Sequence, residues 1–412
     1  MNKKVTDKMK TISTTIFVLL SISGIAQDRR YEEYVPLFKS EILSEENLKN
    51  QRHSRILRDL TYVGAYQELY ERNKYQDSTI VEAMEEITKT YSPTNAKELI
   101  LKMASAEQLV IINESHHRPE HRKFTADLLS DLYKQGFRYL ALEAIMSNSR
   151  SEFTKYPENK YYLGDTTITE RGYPLMKPCS GTYVKEPAFG NMIREALSLG
   201  YQIVGYEKLG KERELYQAKN LARIFEYDPS AKMVIHCGYG HLIESPAKRK
   251  NRTDTLMAAH LKAITNINPL TIDQTNYYYL TDINEIVFNE TSATSPQCLT
   301  LNDTIFKSHL AEQQNYWDMT VFHPPIEYTE GRPHWLTLDS KNKKFVLDAS
   351  KIVIDYPIRI KLHEAEDRLD AVPIDILESY DYQDDYTLYG KIDNAKFVIQ
   401  NINGDRQIIS ME

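Results

Sequence analysis

The chain has 412 residues, enough for two domains, and its 26% charged and 41% hydrophobic residues are ordinary values for a globular protein. The net charge of −7 argues against a surface that binds nucleic acid or an anionic membrane. Only Cys179, Cys237 and Cys298 could form disulfides, so the chain is not a disulfide-stabilised scaffold.

Residues 1–26 have the pattern of a signal peptide. Lysines within the first ten residues precede the apolar run ISTTIFVLLSI, and Gly24 and Ala26 supply the small residues of a cleavage site. The run is too short to span a bilayer comfortably, and no later stretch approaches the roughly 20 apolar residues of a membrane helix. We therefore expect export to the periplasm or the medium, without stable membrane insertion after cleavage. An uncleaved N-terminal anchor is the alternative.

Residues 27–105 are polar and predict a helical segment, because Leu57, Leu60 and Val63 recur near helical spacing. From 106 to 290, short apolar runs alternate with amphipathic helices. The predicted strands are LVII (109–112), RYLALEAI (138–145), YQIVGYE (201–207), KMVIHCGYGH (232–241) and PLTIDQT (269–275). This alternation predicts an α/β fold, a mostly parallel sheet with helices on both faces. Residues 291–412 predict a β-rich C-terminal region, to which the sequence assigns no role.

Acidic and imidazole side chains follow the predicted strands. Glu114 and His116 come after the first strand, Glu143 ends the second, and His241 follows the fourth. Because parallel strands end at one edge of a sheet, and such sheets bind ligands there, these side chains should converge. Arg213 begins the helix after the third strand and would face the same edge.

Neighbouring residues are weaker candidates for this site. His117, His121 and Arg122 belong to the same segment, NESHHRPEHR, and Arg122 could pair with a carboxylate. Glu207 ends the third strand and could join the site. We expect His236, inside the fourth strand, to pack in the core, and Cys237 to be an unreactive buried thiol.

These residue types suit hydrolysis. His116, oriented by Glu114, could deprotonate water, and His241 with Arg213 could stabilise the developing negative charge. Alternatively, Glu114, His116 and His241 could bind a divalent metal that activates the water. No H-E-x-x-H, G-x-S-x-G or Walker sequence occurs. The sequence therefore gives no support for a zinc protease, a serine hydrolase or a P-loop protein of the common types. The expected substrate is a small-molecule or peptide ester or amide.

Four motifs resemble those of the erythromycin esterase, ChaN-like haem-binding and Tiki/TraB superfamily. They are ESHHRPEHR (114–122), GFRYLALE (136–143), RELYQAKN (213–220) and GYGHL (238–242). The glycine that precedes the first glutamate in the family is Asn113 here. The resemblance covers residues 106 to about 280. It implies that the site residues are Glu114, His116, Glu143, Arg213 and His241.

The superfamily includes esterases, proteases and haem carriers, so the resemblance leaves the reaction open. The alternative to a hydrolase is a haem- or small-ligand-binding uptake protein of the ChaN type, without turnover. In that protein Tyr239 or a histidine would be the axial ligand of the haem. A third possibility is a catalytically inactive scaffold. The sequence does not predict the oligomeric state.

Overall fold

A computed structural model of the chain describes residues 33–75, 77–147, 167–177, 180–249, 252–289, 291, 293–308 and 316–411. The predicted signal peptide at 1–26 and Cys179 lie outside the described residues, so export stays a prediction. Within the described ranges, a helical N-terminal part precedes a parallel sheet with helices on both faces, and antiparallel sheets follow. The predicted fold class is confirmed.

The helices and strands have the following bounds. The α-helices are α1 (Lys39–Ile42), α2 (Glu45–Asn50), α3 (His53–Thr61), α4 (Tyr66–Arg72), α5 (Ser78–Thr88), α6 (Ala96–Ala104), α7 (Pro119–Lys134), α8 (Ile168–Arg171), α9 (Pro187–Leu199), α10 (Arg213–Tyr227), α11 (Met257–Thr265), α12 (Thr281–Phe288) and α13 (His334–Thr337). The strands are β1 (Ser92–Asn95), β2 (Leu109–Glu114), β3 (Tyr139–Met146), β4 (Gln202–Glu207), β5 (Met233–Gly238), β6 (Ala247–Arg249), β7 (Arg252–Asp254), β8 (Leu270–Asp273), β9 (Gln297–Leu301), β10 (Thr304–Ile305), β11 (Met319–Thr320), β12 (Tyr328–Thr329), β13 (Arg332–Pro333), β14 (Lys343–Asp348), β15 (Ile358–Glu364), β16 (Asp375–Ser379), β17 (Asp385–Gly390), β18 (Ala395–Asn401) and β19 (Arg406–Ser410). Short 3-10 helices cover Tyr183–Lys185, Tyr239–Leu242 and Ala349–Lys351.

The central sheet of the described chain is parallel and has the strand order β11-β8-β2-β5-β3-β4. All five strands predicted from the sequence belong to it. Glu114 lies opposite Gly238 in the β2–β5 register, so these two strands end level with each other. The edge strand β11 comes from beyond residue 290, where the predicted β-rich region was expected to begin.

Alternate residues of the central strands face opposite helix layers. Val110 and Ile112 pack with α7 and α9, whereas Ile111 packs with α10 and α11. The same alternation places Glu114 on the α7 side of the sheet and Glu143 on the α10 side. Glu114 therefore lies beside α7, which supplies Arg122. Glu143 lies beside α10, which supplies Arg213.

Residues 343–410, the larger part of the C-terminal region, form the antiparallel sheet β16-β15-β18-β19 and the ribbon β14–β17 around an apolar core of their own. Their contact with the parallel-sheet unit includes a hydrogen bond of 2.8 Å from Asn191 Nδ2 of α9 to the carbonyl oxygen of Ile374. The predicted β-rich character is confirmed. Among the described residues, no helix has the length and apolar character needed to cross a membrane.

Candidate active site

Glu114, the last residue of β2, is a buried carboxylate that accepts hydrogen bonds from three side chains. Arg122 donates from Nε to Oε2 at 2.6 Å and from Nη2 to Oε1 at 3.0 Å. Nδ1 of His116 lies 2.9 Å from Oε1, and Nε2 of His236 lies 2.9 Å from Oε2. Burial raises the pKa of Glu114, but Arg122 and the two histidines outweigh burial and hold that pKa well below its usual range. The carboxylate is therefore ionised and fixed in place.

His116 is held so that one nitrogen stays basic. A carboxylate only accepts hydrogen bonds, so the proton of the neutral ring lies on Nδ1 and Nε2 keeps its lone pair. The ring stacks on Tyr183 with centroids 3.8 Å apart, and it meets Tyr239 edge-on at 5.0 Å. Its side chain is 20% exposed. His116 is thus an oriented imidazole with a basic nitrogen and partial access to solvent.

Buried residues behind Glu114 support this arrangement. Nη1 of Arg122 donates to Oε2 of Glu186 at 2.9 Å, and Glu186 accepts two backbone N–H groups at the start of α9. Nδ1 of His236 lies 3.2 Å from the hydroxyl of Thr125. Arg122 pairs with a carboxylate, as expected. His236 is buried, also as expected. In addition, it contacts the carboxylate of Glu114 and so belongs to the surroundings of the site.

Glu143 lies at an irregularity of β3. The register between β3 and β4 shifts between Leu142 and Met146, and in this stretch Oε2 of Glu143 accepts the backbone N–H of Gly238. Oε1 accepts a hydrogen bond from Arg213 and lies 3.3 Å from Nε2 of His241. Burial raises the pKa of Glu143, but His241, His116 and the Gly238 N–H outweigh it and lower the pKa to about 2. This second carboxylate is also ionised.

Arg213 and His241 form a cationic centre among carboxylates. Arg213 donates from Nε to Oε1 of Glu207 at 2.9 Å, and its Nη1 lies 2.9 Å from Nε2 of His241. Nδ1 of His241 lies 2.7 Å from Oε2 of Glu214. Burial lowers the pKa of His241, but Glu143 and Glu214 outweigh burial and raise it to about 9.

His241 has two proton states with different contacts. In the neutral ring Nε2 accepts from Arg213 and the Nδ1 proton points to Glu214. In the protonated ring the Nε2 proton points to Oε1 of Glu143, and Nη1 of Arg213 has to move aside, because two donors cannot face each other. The surrounding carboxylates favour the protonated ring. His241 is therefore suited to donate a proton or a hydrogen bond.

Gly238 allows His116, which is paired with Glu114, to approach Glu143, which is paired with Arg213 and His241. A Cβ atom at this position would lie 2.3 Å from Cε1 and 2.7 Å from Nε2 of His116, and 3.1 Å from Oε2 of Glu143. Only glycine lets both side chains approach the end of β5 so closely. The predicted convergence of chain-distant side chains is present at this edge of the sheet. Glu207, the weaker candidate, takes part through its contacts with Arg213.

The turn after Gly238 is fixed by Asn113. Tyr239 has a φ of 44°, and its carbonyl oxygen accepts a hydrogen bond of 2.8 Å from Nδ2 of Asn113. The same Nδ2 lies 2.7 Å from Oδ1 of Asp273, and Oδ1 of Asn113 accepts the backbone N–H of Gln274 at 2.6 Å. Asn113 therefore holds the loop through its side chain.

Tyr239, the predicted haem ligand, contacts the loop that follows β2. The hydroxyl of Tyr239 lies 3.2 Å from Oγ of Ser115, and burial raises the pKa of this phenol. Tyr183 covers one face of the His116 ring. The cofactor-binding role of Tyr239 stays a prediction.

The predicted metal ligands do not assemble either. Both oxygens of Glu114 accept hydrogen bonds from Arg122 and from histidines, and His241 lies between Arg213 and Glu214. In the part of the chain that the structure describes, no three His, Cys, Asp or Glu side chains are arranged to hold a metal ion. The prediction of a metal set from Glu114, His116 and His241 is therefore corrected: Glu114 pairs with Arg122 and His241 contacts Arg213, so the three side chains do not face one common point.

The histidine-rich segment divides between two places. His116 enters the site, whereas His117 and His121 approach the ring of Tyr278, with centroids 5.7 and 5.9 Å apart. Cys237 is buried and burial raises the pKa of its thiol, in keeping with an unreactive residue.

Some residues of the site were not predicted. Tyr183 and Glu186 lie between β3 and α9, in a segment without a periodic pattern. Glu214 had a signal, because it is the acidic second residue of RELYQAKN.

Comparisons with known proteins give distant likenesses only. No family model and no curated protein matches the chain. Among solved structures, the type III effector HopBA1 is similar at 15% identity and a TM-score of 0.28, over 44% of this chain and 84% of that one. A structure of bacterial protein toxins is similar at 15% identity and a TM-score of 0.30, over 57% of this chain and 48% of that one. RRSP, a MARTX toxin effector domain from Vibrio vulnificus, is similar at 13% identity and a TM-score of 0.29, over 57% and 47%. The chain spans about half the length of the latter two structures.

Proposed function

We propose that the chain is an exported hydrolase that cleaves an ester or amide bond with water activated by His116. The observation that supports this most is the geometry of His116, whose Nδ1 proton points to Oε1 of Glu114 at 2.9 Å and whose Nε2 is basic. Arg122 keeps Glu114 ionised at low exposure. A base fixed in this way can accept a proton without rearrangement of its surroundings.

The reaction would proceed in two steps. Nε2 of His116 takes a proton from water while the water oxygen attacks the carbonyl carbon, and the carboxylate of Glu114 stabilises the imidazolium. The carbonyl oxygen gains negative charge and accepts a hydrogen bond from protonated His241. When the intermediate collapses, the C–O or C–N bond breaks and the leaving group takes the proton from Nε2 of His116.

The charges around His241 indicate which substrates suit the site. The carboxylates of Glu143, Glu207 and Glu214 surround the two cations Arg213 and protonated His241, which leaves one net negative charge. This balance disfavours a free anion next to His241, so His241 would act by donating a hydrogen bond or its proton. A substrate that is neutral or cationic near the scissile bond is favoured, among small molecules or peptides.

The test is a panel of ester and amide substrates, assayed with the purified chain and with two matched variants. His116→Ala should lower kcat/KM by about 100-fold or more, because it removes the general base. His117→Ala, one residue further along but facing Tyr278, should change kcat/KM by no more than about threefold. Equal losses in the two variants would remove the proposed role of His116. A Soret band in the purified protein, without hydrolysis of any substrate, would support a haem carrier instead.

Export needs a separate test. The reason for proposing it is the signal-peptide pattern of residues 1–26. Mass spectrometry of the chain recovered from outside the cytoplasm should find an N-terminus at Gln27. Recovery of the intact chain, still carrying residue 1, from the cytoplasm alone would overturn the proposal.

A further inference from the structure

A cavity lies beside the loop that joins β2 to α7. Its volume is about 230 Å³, and its lining includes Tyr70, Arg118, His121, Tyr278 and His323. The catalytic candidates His116, Glu143 and His241 are not among the residues that line it. The cavity is therefore separate from the proposed hydrolytic site, although both adjoin the same loop.

Two buried N–H donors in the lining have no hydrogen-bond partner among the described residues. They are Nε of Arg118 and Nε2 of His121, in side chains of residues that are 6% and 0% exposed. The backbone N–H of Ser115 donates to Nδ1 of His121 at 3.1 Å, so the proton of the neutral ring lies on Nε2. Burial keeps the pKa of His121 well below its ordinary value, in keeping with the neutral ring. Leaving buried donors unpaired costs free energy, which an acceptor in the cavity would recover.

The guanidinium of Arg118 is held rigidly. It lies between two aromatic rings, 4.8 Å from the centroid of Tyr70 and 5.2 Å from that of Tyr278. Its Nη1 is 3.3 Å from Oε1 of Glu120, whose other oxygen accepts the hydroxyl of Tyr70. The ion pair uses one edge of the guanidinium and leaves Nε–H unpaired. Arg118 is thus oriented before any ligand arrives.

The ring of His121 is also fixed. It stacks on His323 with centroids 4.8 Å apart and an interplanar angle of 26°, and Nε2 of His323 is 2.9 Å from Oε1 of Gln274. Two donors of fixed orientation therefore belong to one small cavity, next to the positive N-terminal end of the 16-residue helix α7.

Charge varies along this cavity. The deep end has Arg118 with Glu120, whereas Glu71, Lys74 and Glu285 line the outer part and are exposed to solvent. Water screens the outer carboxylates far more than it screens the buried guanidinium. At the deep end Glu120 balances the charge of Arg118, so a negative group is favoured there by the two unpaired N–H donors and not by net charge.

We propose that this cavity binds a small oxyanion, the carboxylate or phosphate group of a small molecule, through Nε–H of Arg118 and Nε2–H of His121. The guanidinium N–H would donate a charge-assisted hydrogen bond to an oxyanion oxygen. The N–H of the neutral imidazole would donate an ordinary hydrogen bond. The cavity adjoins the catalytic loop, since Ser115, whose backbone N–H donates to Nδ1 of His121, immediately precedes His116.

The test measures binding of acetate and of inorganic phosphate by calorimetry at constant ionic strength. The His116→Ala variant is measured as well, so that anion binding is tested independently of the proposed hydrolysis. At least one anion should bind saturably, with equal affinity in both proteins. Arg118→Gln should weaken binding about tenfold or more, and the surface control Lys134→Gln, with 72% of its side chain exposed, should not change it. Binding of acetate alone assigns a carboxylate, and binding of phosphate alone assigns a phosphate.

A second variant guards against loss of folding. Arg118→Lys keeps the positive charge between the two tyrosines but removes the Nε–H group, so it should also weaken binding. The absence of saturable binding by either anion in the unmodified protein would overturn the proposal. Unchanged affinity in every Arg118 variant that folds would overturn it as well.

Discussion

His116 and His236 share the carboxylate of Glu114. Nδ1 of His116 lies 2.9 Å from one oxygen, and Nε2 of His236 lies 2.9 Å from the other. One ring is partly exposed and the other is buried, so Glu114 connects the proposed base to the interior of the parallel sheet. A change at Glu114 should therefore alter both activity and stability, which the following prediction uses.

Glu114→Gln should destabilise the fold by about 3 kcal/mol, because it leaves Arg122 buried with Glu186 as its remaining carboxylate partner. Urea unfolding of the two proteins measures this difference. The double variant Glu114→Gln with Arg122→Met also leaves the buried carboxylate of Glu186 without its cation, so it should lose more stability than Glu114→Gln alone. A single variant within about 1 kcal/mol of the unmodified protein would contradict the importance of this ion pair.

Gly238→Ala should displace His116, since the new methyl group would lie 2.3 Å from Cε1 of the ring. The backbone at Gly238, with φ −87° and ψ 139°, suits alanine, so the effect comes from the side-chain contact. We expect a loss of hydrolytic activity of about 100-fold, from misplacement of the base. A double-mutant cycle is the control: in the His116→Ala background, Gly238→Ala should cost clearly less stability than it does alone. Additive costs would show that His116 is not the group displaced.

Asn113→Gly introduces the glycine of the superfamily that the sequence resembles, and it should weaken the protein. It removes the hydrogen bonds of the Asn113 side chain to Tyr239, Asp273 and Gln274, with a loss of about 2–4 kcal/mol in unfolding free energy. Activity should fall too, because the turn that carries His241 loses its support. Denaturant unfolding and kcat/KM on the same preparations check both effects. Unchanged values would mean that the backbone alone fixes this turn.

The carboxylates at the carboxyl ends of the central strands could be predicted from the sequence for a physical reason. The central strands are apolar along their whole length because helices cover both faces, so a carboxylate at a strand end stands out. Glu114 and Glu143 were found in this way, and the parallel direction of the strands brought them together. The β-rich C-terminal region was equally visible in the strand patterns, but no pattern in it indicates a role.

The sequence indicated that Arg122 could pair with a carboxylate, but it could not show which one. Arg122 lies eight residues after Glu114, and only the return of α7 across the sheet brings the guanidinium under the carboxylate. Without that contact, Glu114 and His116 are as compatible with a metal site as with a histidine base. Tyr183, which stacks on His116, lies on a short 3-10 helix that no periodicity predicts.

The stability of the fold should depend on pH through His241. Its pKa is about 9 in the folded chain, above the ordinary value of 6.5, because Glu143 and Glu214 favour the charged ring. Protonation therefore stabilises the folded state fully at pH values below about 6.5, and this contribution, up to about 3 kcal/mol, is lost as the pH rises through about 9.

His241→Asn isolates this effect. Urea unfolding of both proteins at pH values from about 6 to about 10 should give a difference in stability that shrinks steadily with rising pH. The buried Lys361, whose pKa burial lowers to about 8, titrates in the same range with the opposite sign, but it is present in both proteins and cancels in the comparison. A difference that stays constant across this range would mean that His241 is neutral in the folded protein, accepting a hydrogen bond from Arg213, and that it cannot supply the proposed proton.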